Sequence, residues 1–286
     1  MLPPVNRFAG AAGSLDSRLP IAMERAFQPA DLDRIQGESP VRVVQYYRQL
    51  PSTSDRALQL ARVDECETPL VVLAELQTAG RGRGSNRWWA GPGALTFSLV
   101  VDLKNGQRSV GDTRVSLATA LAVRDALSTF DRTARFQLKW PNDLYLQSRK
   151  IAGILLERPA LHLNRLVVGI GVNVNNSLQG APAALQETSN SFCDATGREL
   201  NLPDLLIATL NSLVTQYAAL AEGQFPLRDQ WNAHCMLRGQ AVDVESGKRQ
   251  VAGVCRGVDP EGALLVQTGA GLEAFASGSV RQIQPG

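Results

Sequence analysis

Three short segments carry side chains that could do chemistry. Ala79–Ser85 reads A-G-R-G-R-G-S, three glycines alternating with Arg81 and Arg83. Glycine lets backbone N–H groups approach a ligand and lets a loop open and close. Arginine supplies fork-shaped, permanently charged donors that match carboxylate and phosphate. Such a segment is either a lid for an anion or a solvated turn with two arginines, and Gly-rich motifs alone do not decide. Trp88 and Trp89, followed by Gly91-Pro92-Gly93, favour the lid, because large aromatics on loops anchor packing or contact a ligand.

The second segment is K-W-P-N-D, Lys139 to Asp143, with Lys150 at the head of I-A-G-I-L-L-E. Pro141 breaks the strand, so Asn142 and Asp143 fall at a turn, with Lys139 ending one strand and Lys150 opening another. A hairpin there puts both lysines and the carboxylate on one sheet. The lysines then face phosphate oxygens, and Asp143 holds Mg²⁺ or orients a lysine. The plainer alternative is a surface hairpin with ordinary ion pairs. Gly153, inside an apolar strand, argues against it, since interior glycine marks close approach of ligand or backbone. The third segment, Gly169–Asn175 (G-I-G-V-N-V-N), sets Asn173 and Asn175 on one strand face. Their amides could read an adenine or ribose, or satisfy neighbouring backbone.

Regular elements must position these groups. Strands are expected at Val41–Tyr47, Leu70–Glu75, Ala94–Val101, Arg135–Trp140, Asp143–Gln147, Lys150–Glu157 and Arg165–Val174. Asp31–Gln36 reads as a brief helix. Thr53–Arg62, Asp112–Phe130 and Leu205–Ala221 carry helical spacing, with Ser52 or Thr53 as a cap and Pro203 suited to a first turn. From Arg238 to Ile283 the helical period vanishes. Strand candidates Ala241–Val244, Val251–Val258, Ala263–Gln267 and Leu272–Ala276 replace it, with a turn at Asp259-Pro260-Glu261-Gly262.

Of the 286 residues, 44% are hydrophobic and 20% charged, an ordinary globular composition long enough for two domains. A formal charge of +2 is too mild for nucleic acid as the main partner. Cys66, Cys193, Cys235 and Cys255 form no Cys-x-x-Cys pair, and His162 and His234 are isolated, so a reducing compartment is expected and a His-rich metal site is not. With no apolar stretch of membrane length and no convincing signal peptide, the expected location is the cytoplasm.

Taken together, the motifs resemble biotin protein ligases. That family's Ser-Thr-Asn entry, Gly-Arg-Gly-Arg loop followed by tryptophan, Lys-Trp-Pro-Asn-Asp, Lys-hydrophobic-Ala-Gly-Ile and Gly-x-Gly-hydrophobic-Asn strand appear in order from about Ser52 to Asn175. The resemblance implies an α/β (α+β) fold: a mixed-sheet catalytic domain of the biotin/lipoate ligase type and a small C-terminal SH3-like β-barrel. The corresponding division is a flexible tail over 1–26, a catalytic biotin- and ATP-binding domain over 27–237, and the barrel over 238–286. By the same resemblance Ser52, Thr53, Ser54, Gln77, Gly80, Arg81, Gly82, Arg83, Lys150, Gly153 and Leu155 surround biotin. Arg83, Trp88, Lys139, Asn142 and Asn173 belong to the nucleotide site, Asp143 is the candidate metal ligand, and Lys150, Arg83 and Arg81 are the catalytic set.

The implied reaction uses ATP and Mg²⁺ to convert biotin to biotinyl-5′-AMP, then passes biotin to a lysine of a biotin carboxyl carrier protein or domain. Membrane and nucleic-acid partners are not expected, and a homodimer is left open. Three departures stand out: Ser54 replaces the usual Asn, Gly84-Ser85-Asn86 replaces a further Arg-Gly, and Gly278-Ser279-Val280-Arg281 only loosely matches the family's basic tail. A lipoate ligase would share fold and adenylation chemistry but not these motifs. A repressor would need an N-terminal helix-turn-helix, whose two-helix pattern is absent from the first 40 or so residues. An inactive binding module would have no need of Lys150 and both loop arginines.

Overall fold

The structure, a computed structural model, describes residues 26–102, 112–160 and 162–283. The expected tail, 1–26, lies outside these residues except for Ala26. The chain runs α1 (Pro29–Glu38), β1 (Val43–Leu50), α2 (Thr53–Ala61), β2 (Leu70–Gln77), β3 (Leu95–Asp102), α3 (Asp112–Phe130), β4 (Phe136–Lys139), β5 (Asp143–Leu146), β6 (Arg149–Glu157) and β7 (Arg165–Val172). A 3₁₀ turn at Leu178–Gly180 precedes α4 (Ala183–Thr188), α5 (Phe192–Thr196), α6 (Leu202–Ala221) and α7 (Leu227–His234). Then come β8 (Ala241–Ser246), β9 (Arg249–Val258), β10 (Leu264–Thr268), β11 (Gly271–Phe275) and β12 (Ser279–Gln282).

The first seven strands form one mixed sheet in the order β1-β2-β3-β7-β6-β5-β4. β1 and β2 are parallel, joined by α2, and the other neighbours are antiparallel. The apolar runs of β2, β3 and β7 follow from burial on both faces. Leu73, Phe97, Leu99, Val168 and Ile170 pack with α3 and α6 into the main core. Val72, Val100 and Val167 point the other way, against Ala57 and Ala61 of α2. By the two-residue period, Ser98, Gly169 and Gly171 lie on the α2 face, beyond that small cluster. A trough therefore opens where large side chains stop.

α2 starts where Ser52 accepts a hydrogen bond from the Asp55 backbone N–H (3.3 Å), which sets Thr53 and Ser54 in the first turn over the sheet. The β5–β6 turn corrects the expected strand end: β5 stops at Leu146, and Gln147 (φ 51°) and Ser148 (φ 63°) occupy the left-handed region of a tight hairpin. β7 likewise ends at Val172, so Asn173 lies past the strand. The short helices between Asn175 and Arg238 were not anticipated. Their signals were local: Ser191 caps α5 through the Asp194 N–H (3.0 Å), and Gly197 ends it at φ 70°.

The last five strands form a separate antiparallel sheet, β11-β10-β9-β8-β12, with a register shift between Leu265 and Val266. This is the small SH3-like β unit that the family resemblance implies, with β12 as an unforeseen edge strand beside β8. It docks on the main body through its turns. The buried Trp140 donates its indole N–H to the Gly262 carbonyl (3.1 Å), and Asn232 of α7 exchanges two bonds with the Val258 backbone (2.8 and 3.2 Å). Trp140 thus ties the K-W-P-N-D segment to the C-terminal sheet. Among the described residues, no helix is long and apolar enough to cross a membrane.

Candidate active site

The floor of the trough is built from missing side chains. In the β6–β7 register Gly153 pairs with Gly171 and Leu155 with Gly169. The Trp88 indole lies where these glycines leave room: a Cβ on Gly171 would stand 2.5 Å from Trp88 Nε1 and 2.7 Å from Cζ2. Trp88 Nε1 is itself buried without a hydrogen-bond acceptor among the described residues, a donor that a ligand could satisfy. Lys150 reaches across the same surface, its Nζ 6.0 Å from the indole centroid, within range of a cation–π attraction.

Lys150 Nζ is 2.6 Å from Asp143 Oδ1. The hairpin supplies this pair: Asp143 opens β5 opposite both Lys139 and Gly153, and Lys150 stands beside it on β6. Lys139 lies over the Tyr145 ring at 5.6 Å. Burial holds the Lys139 pKa below the usual lysine range; Asp143 opposes that shift, and the positive charges of Lys150 and Arg281 add to it. The Tyr145 hydroxyl is pushed up to about 12, chiefly by burial and further by the Asp143 charge. Asn142 donates to the Ile154 carbonyl (2.6 Å) and accepts the Ile154 N–H on its own carbonyl (3.0 Å), so this turn is stitched to β6.

At the other end, Gln77 Oε1 accepts from the Thr53 backbone N–H (2.7 Å) and the Thr53 hydroxyl (3.2 Å). With its oxygen so occupied, Gln77 presents its Nε2 as a donor. Ser98 donates to Thr53 Oγ1 (2.9 Å), and Ser54 Oγ lies 3.2 Å from Ser98 Oγ. A run of buried hydroxyls thus stands where the related pattern has one carboxamide at position 54.

The Gly-Arg segment is a small hairpin. Trp88 N–H donates to Gly80 O (2.9 Å), Gly82 N–H to Asn86 O (2.8 Å), and Asn86 N–H back to Arg83 O (3.2 Å). Gly80 is required here, since a Cβ would stand 2.5 Å from the Trp88 carbonyl oxygen. Arg81 does not project into open space. Its Nε is 2.7 Å from Asp55 Oδ1, and its Nη1 and Nη2 meet Glu157 Oε1 and Oε2 at 2.8 and 2.5 Å. Arg83 extends further and donates from Nη1 to the Gly278 carbonyl at the head of β12 (2.5 Å).

These groups converge on one cleft of about 980 Å³, at the upper end of ligand-pocket sizes. Thr53, Ser54, Gln77, Arg81, Gly82, Arg83, Trp88, Lys139, Asn142, Asp143, Lys150, Gly153 and Leu155 all line it. Ser52, Gly80 and Asn173 do not. Ser52 is spent as a helix cap, Gly80 shapes the hairpin, and the buried Asn173 donates to Asn190 O (3.1 Å) while accepting from Asn176 (3.1 Å). Asn175 is spent similarly on the Leu200 backbone. The far wall, which sequence reasoning missed, comes from the C-terminal sheet: Glu245, Gly247, Gly278, Ser279 and Val280.

Asp143 commits its carboxylate to Lys150, and no cluster of three metal-ligating side chains occurs among the described residues. This donor set does not suit a resident metal. A second cleft of about 1100 Å³, edged by Arg124, Arg132, Arg135 and His234, contains none of the motif residues.

Comparison with known proteins gives a consistent result. The profile of the biotin/lipoate A/B protein ligase family matches residues 46–175, and that of the biotin protein ligase C terminal domain matches residues 238–281. The biotin–acetyl-CoA-carboxylase ligase of Paracoccus denitrificans is 31% identical over 80% of this chain and 96% of its own length. The protein of the same name from Mycobacterium tuberculosis is 30% identical over 74% and 78%. Among solved structures, the biotin protein ligase of Aquifex aeolicus in complex with biotin and ATP superposes with a TM-score of 0.75 at 25% identity, covering 85% of this chain and all of that one (100%).

Proposed function

The chain belongs to the biotin protein ligase family, and on that premise we propose how its cleft carries out ATP-dependent biotinylation. The overall reaction is that of a biotin ligase: biotin and ATP give biotinyl-5′-AMP and pyrophosphate, and an acceptor amine then takes the biotin and releases AMP. We divide the work between a catalytic domain over 27–237 and a C-terminal barrel over 238–286, which closes the nucleotide side of the cleft.

The observation that carries the assignment of roles is the position of Lys150. Its ammonium sits between the Thr53–Gln77 end of the cleft, which offers neutral hydrogen bonds, and the Lys139–Asn142 end, which offers positive charge. Biotin fits the first end, because Gln77 Nε2 can donate to a ring carbonyl over a glycine floor. MgATP, as substrate, fits the second. Joining a carboxylate to an α-phosphate brings two anions together, so the chief barrier is electrostatic. Asp143, ion-paired at 2.6 Å, holds the Lys150 ammonium where it can bridge the carboxylate and the α-phosphate oxygens. A carboxylate oxygen attacks the α-phosphorus and pyrophosphate leaves. The acceptor lysine amine then attacks the acyl carbon, and AMP departs with the bonding electron pair.

The mixed anhydride is labile in water, which gives the hairpin Gly80–Trp88 its purpose as a lid. Arg83, exposed near the tip, is the arginine free to exchange its Gly278 contact for the adenylate; Arg81 is not. The acceptor fitting this chemistry is a biotin carboxyl carrier protein or domain. Transfer of labelled biotin to such a domain by the full chain, with and without ATP, tests the assignment. ATP-dependent labelling is expected, and no transfer by folded protein would refute it.

A further inference from the structure

The hydrogen bonds inside the lid hairpin hold its shape but do not attach it to the protein. Trp88 to Gly80, Gly82 to Asn86 and Asn86 to Arg83 are all internal to the loop. Among the described residues, apart from packing of the Trp88 ring and the backbone bonds of Thr78 and Ala79 to Leu50 and Pro51 just before the loop, its ties to the body are two arginine contacts. Arg83 to Gly278 is a single bond to an exposed carbonyl. Arg81 is held far more firmly: Glu157, the last residue of β6, takes both terminal nitrogens in a fork, and Asp55, in the first turn of α2, takes Nε. A bidentate arginine–carboxylate pair combines strength with fixed orientation.

Arg81 is thus tied to two separate elements, the first turn of α2 and the end of β6. Its guanidinium, with both terminal nitrogens hydrogen-bonded to Glu157 and Nε ion-paired with Asp55, is not an open charge for substrate. Glu157 ends β6 after the apolar run Ile151–Leu156, and Asp55 follows the hydroxyl run of α2; neither lines the cleft itself.

We propose that Asp55 and Glu157 are positioning residues of the biotinylation reaction: by clamping Arg81 they fix the root of the lid, leaving only its tip to open and close. This rests on the reading of the cleft as a biotin ligase site. The clamp places the Gly82 backbone over the acid-binding end, so loosening it weakens biotin binding and adenylate retention more than it slows chemistry.

The test uses the full chain as Asp55→Asn, Glu157→Gln and the double variant, each checked for an unchanged thermal transition. Trypsin cleavage after Arg83 and Arg87, followed by mass spectrometry without ligand, reads lid attachment directly. Losing one charged hydrogen-bonded pair should speed these cleavages about tenfold. The KM for biotin should rise by a similar factor with kcat little changed, and free adenylate should increase. Exchanging the charges, Arg81→Glu with Glu157→Arg, should restore part of the protection that either single change removes. Wild-type cleavage rates and biotin KM in Glu157→Gln would overturn the clamp, as would a charge exchange no better protected than its single variants. If the wild-type chain forms no adenylate, the biotin ligase reading fails, while the trypsin comparison still judges the clamp.

Discussion

Gly171→Ala isolates the contact on which the cleft floor depends. The added methyl would stand 2.5 Å from Trp88 Nε1 and 2.7 Å from Cζ2. Carbon and nitrogen pairs rest near 3.5 Å, so the indole must retreat by about 1 Å. The backbone of β7 cannot yield, since Gly171 is paired with Thr96 on one side and Gly153 on the other. Trp88 can, because it lies on a half-buried loop. Overpacking in a rigid core costs ~1–3 kcal/mol; with a mobile neighbour, the stability loss should stay near the lower end, about 1 kcal/mol. Activity should suffer more, because a misplacement of about 1 Å can cost roughly a hundredfold in rate. The assay is biotin-dependent exchange of labelled pyrophosphate into ATP, paired with thermal unfolding. Near wild-type exchange would refute the placement of Trp88 against the reacting groups, and an unfolded variant would refute the claim that the loop takes up the strain.

Other consequences follow from the same geometry. Lys150→Ala should leave the fold intact, because Asp143 retains some solvent, yet reduce adenylate formation by two or more orders of magnitude, roughly the loss of one charged transition-state contact; pyrophosphate release reports it. Arg83→Gly should let free biotinyl-adenylate accumulate in the medium, and unchanged retention, measured by chromatography, would remove Arg83 from the lid. Lys139, its pKa depressed by burial, should have that pKa raised again when phosphate arrives. Between the depressed pKa of the free protein and the raised pKa of the complex, nucleotide binding then takes up a proton and weakens as pH rises; calorimetry in buffers of different ionisation enthalpy measures the uptake. The same depressed pKa makes stability rise with pH between the folded value and the usual lysine range, because the unfolded chain binds the extra proton there.

Much of the site was legible because it is local. Lys139, Asp143 and Lys150 lie within one three-stranded meander, so a proline and three strand patterns were enough to bring them together. Thr53 and Gln77 came only through family resemblance, since nothing in their own segments says that the end of β2 meets the start of α2. What stayed hidden depends on pairings that a single segment does not encode. Ser98 looks like any residue of an apolar strand until Thr53 and Ser54 are set against it. Gly171 has meaning only opposite Gly153 and beneath Trp88. For Asn173, the strand was carried too far; with β7 ending at Val172, its carboxamide takes the backbone alternative and donates to Asn190 O. Arg81 was read by residue type as a charge for the substrate, and two carboxylates remote in sequence give it another task.

The contact between Arg83 and Gly278 joins a loop near the first third of the chain to a strand near its end. During synthesis on the ribosome, Lys150 and its hairpin emerge while the wall from Glu245 to Val280 has yet to be made. A nascent chain at that stage can assemble the acid-binding floor but has nothing for the lid tip to rest on. Retention of the acyl-adenylate is therefore a property the chain gains only when its last strand is in place.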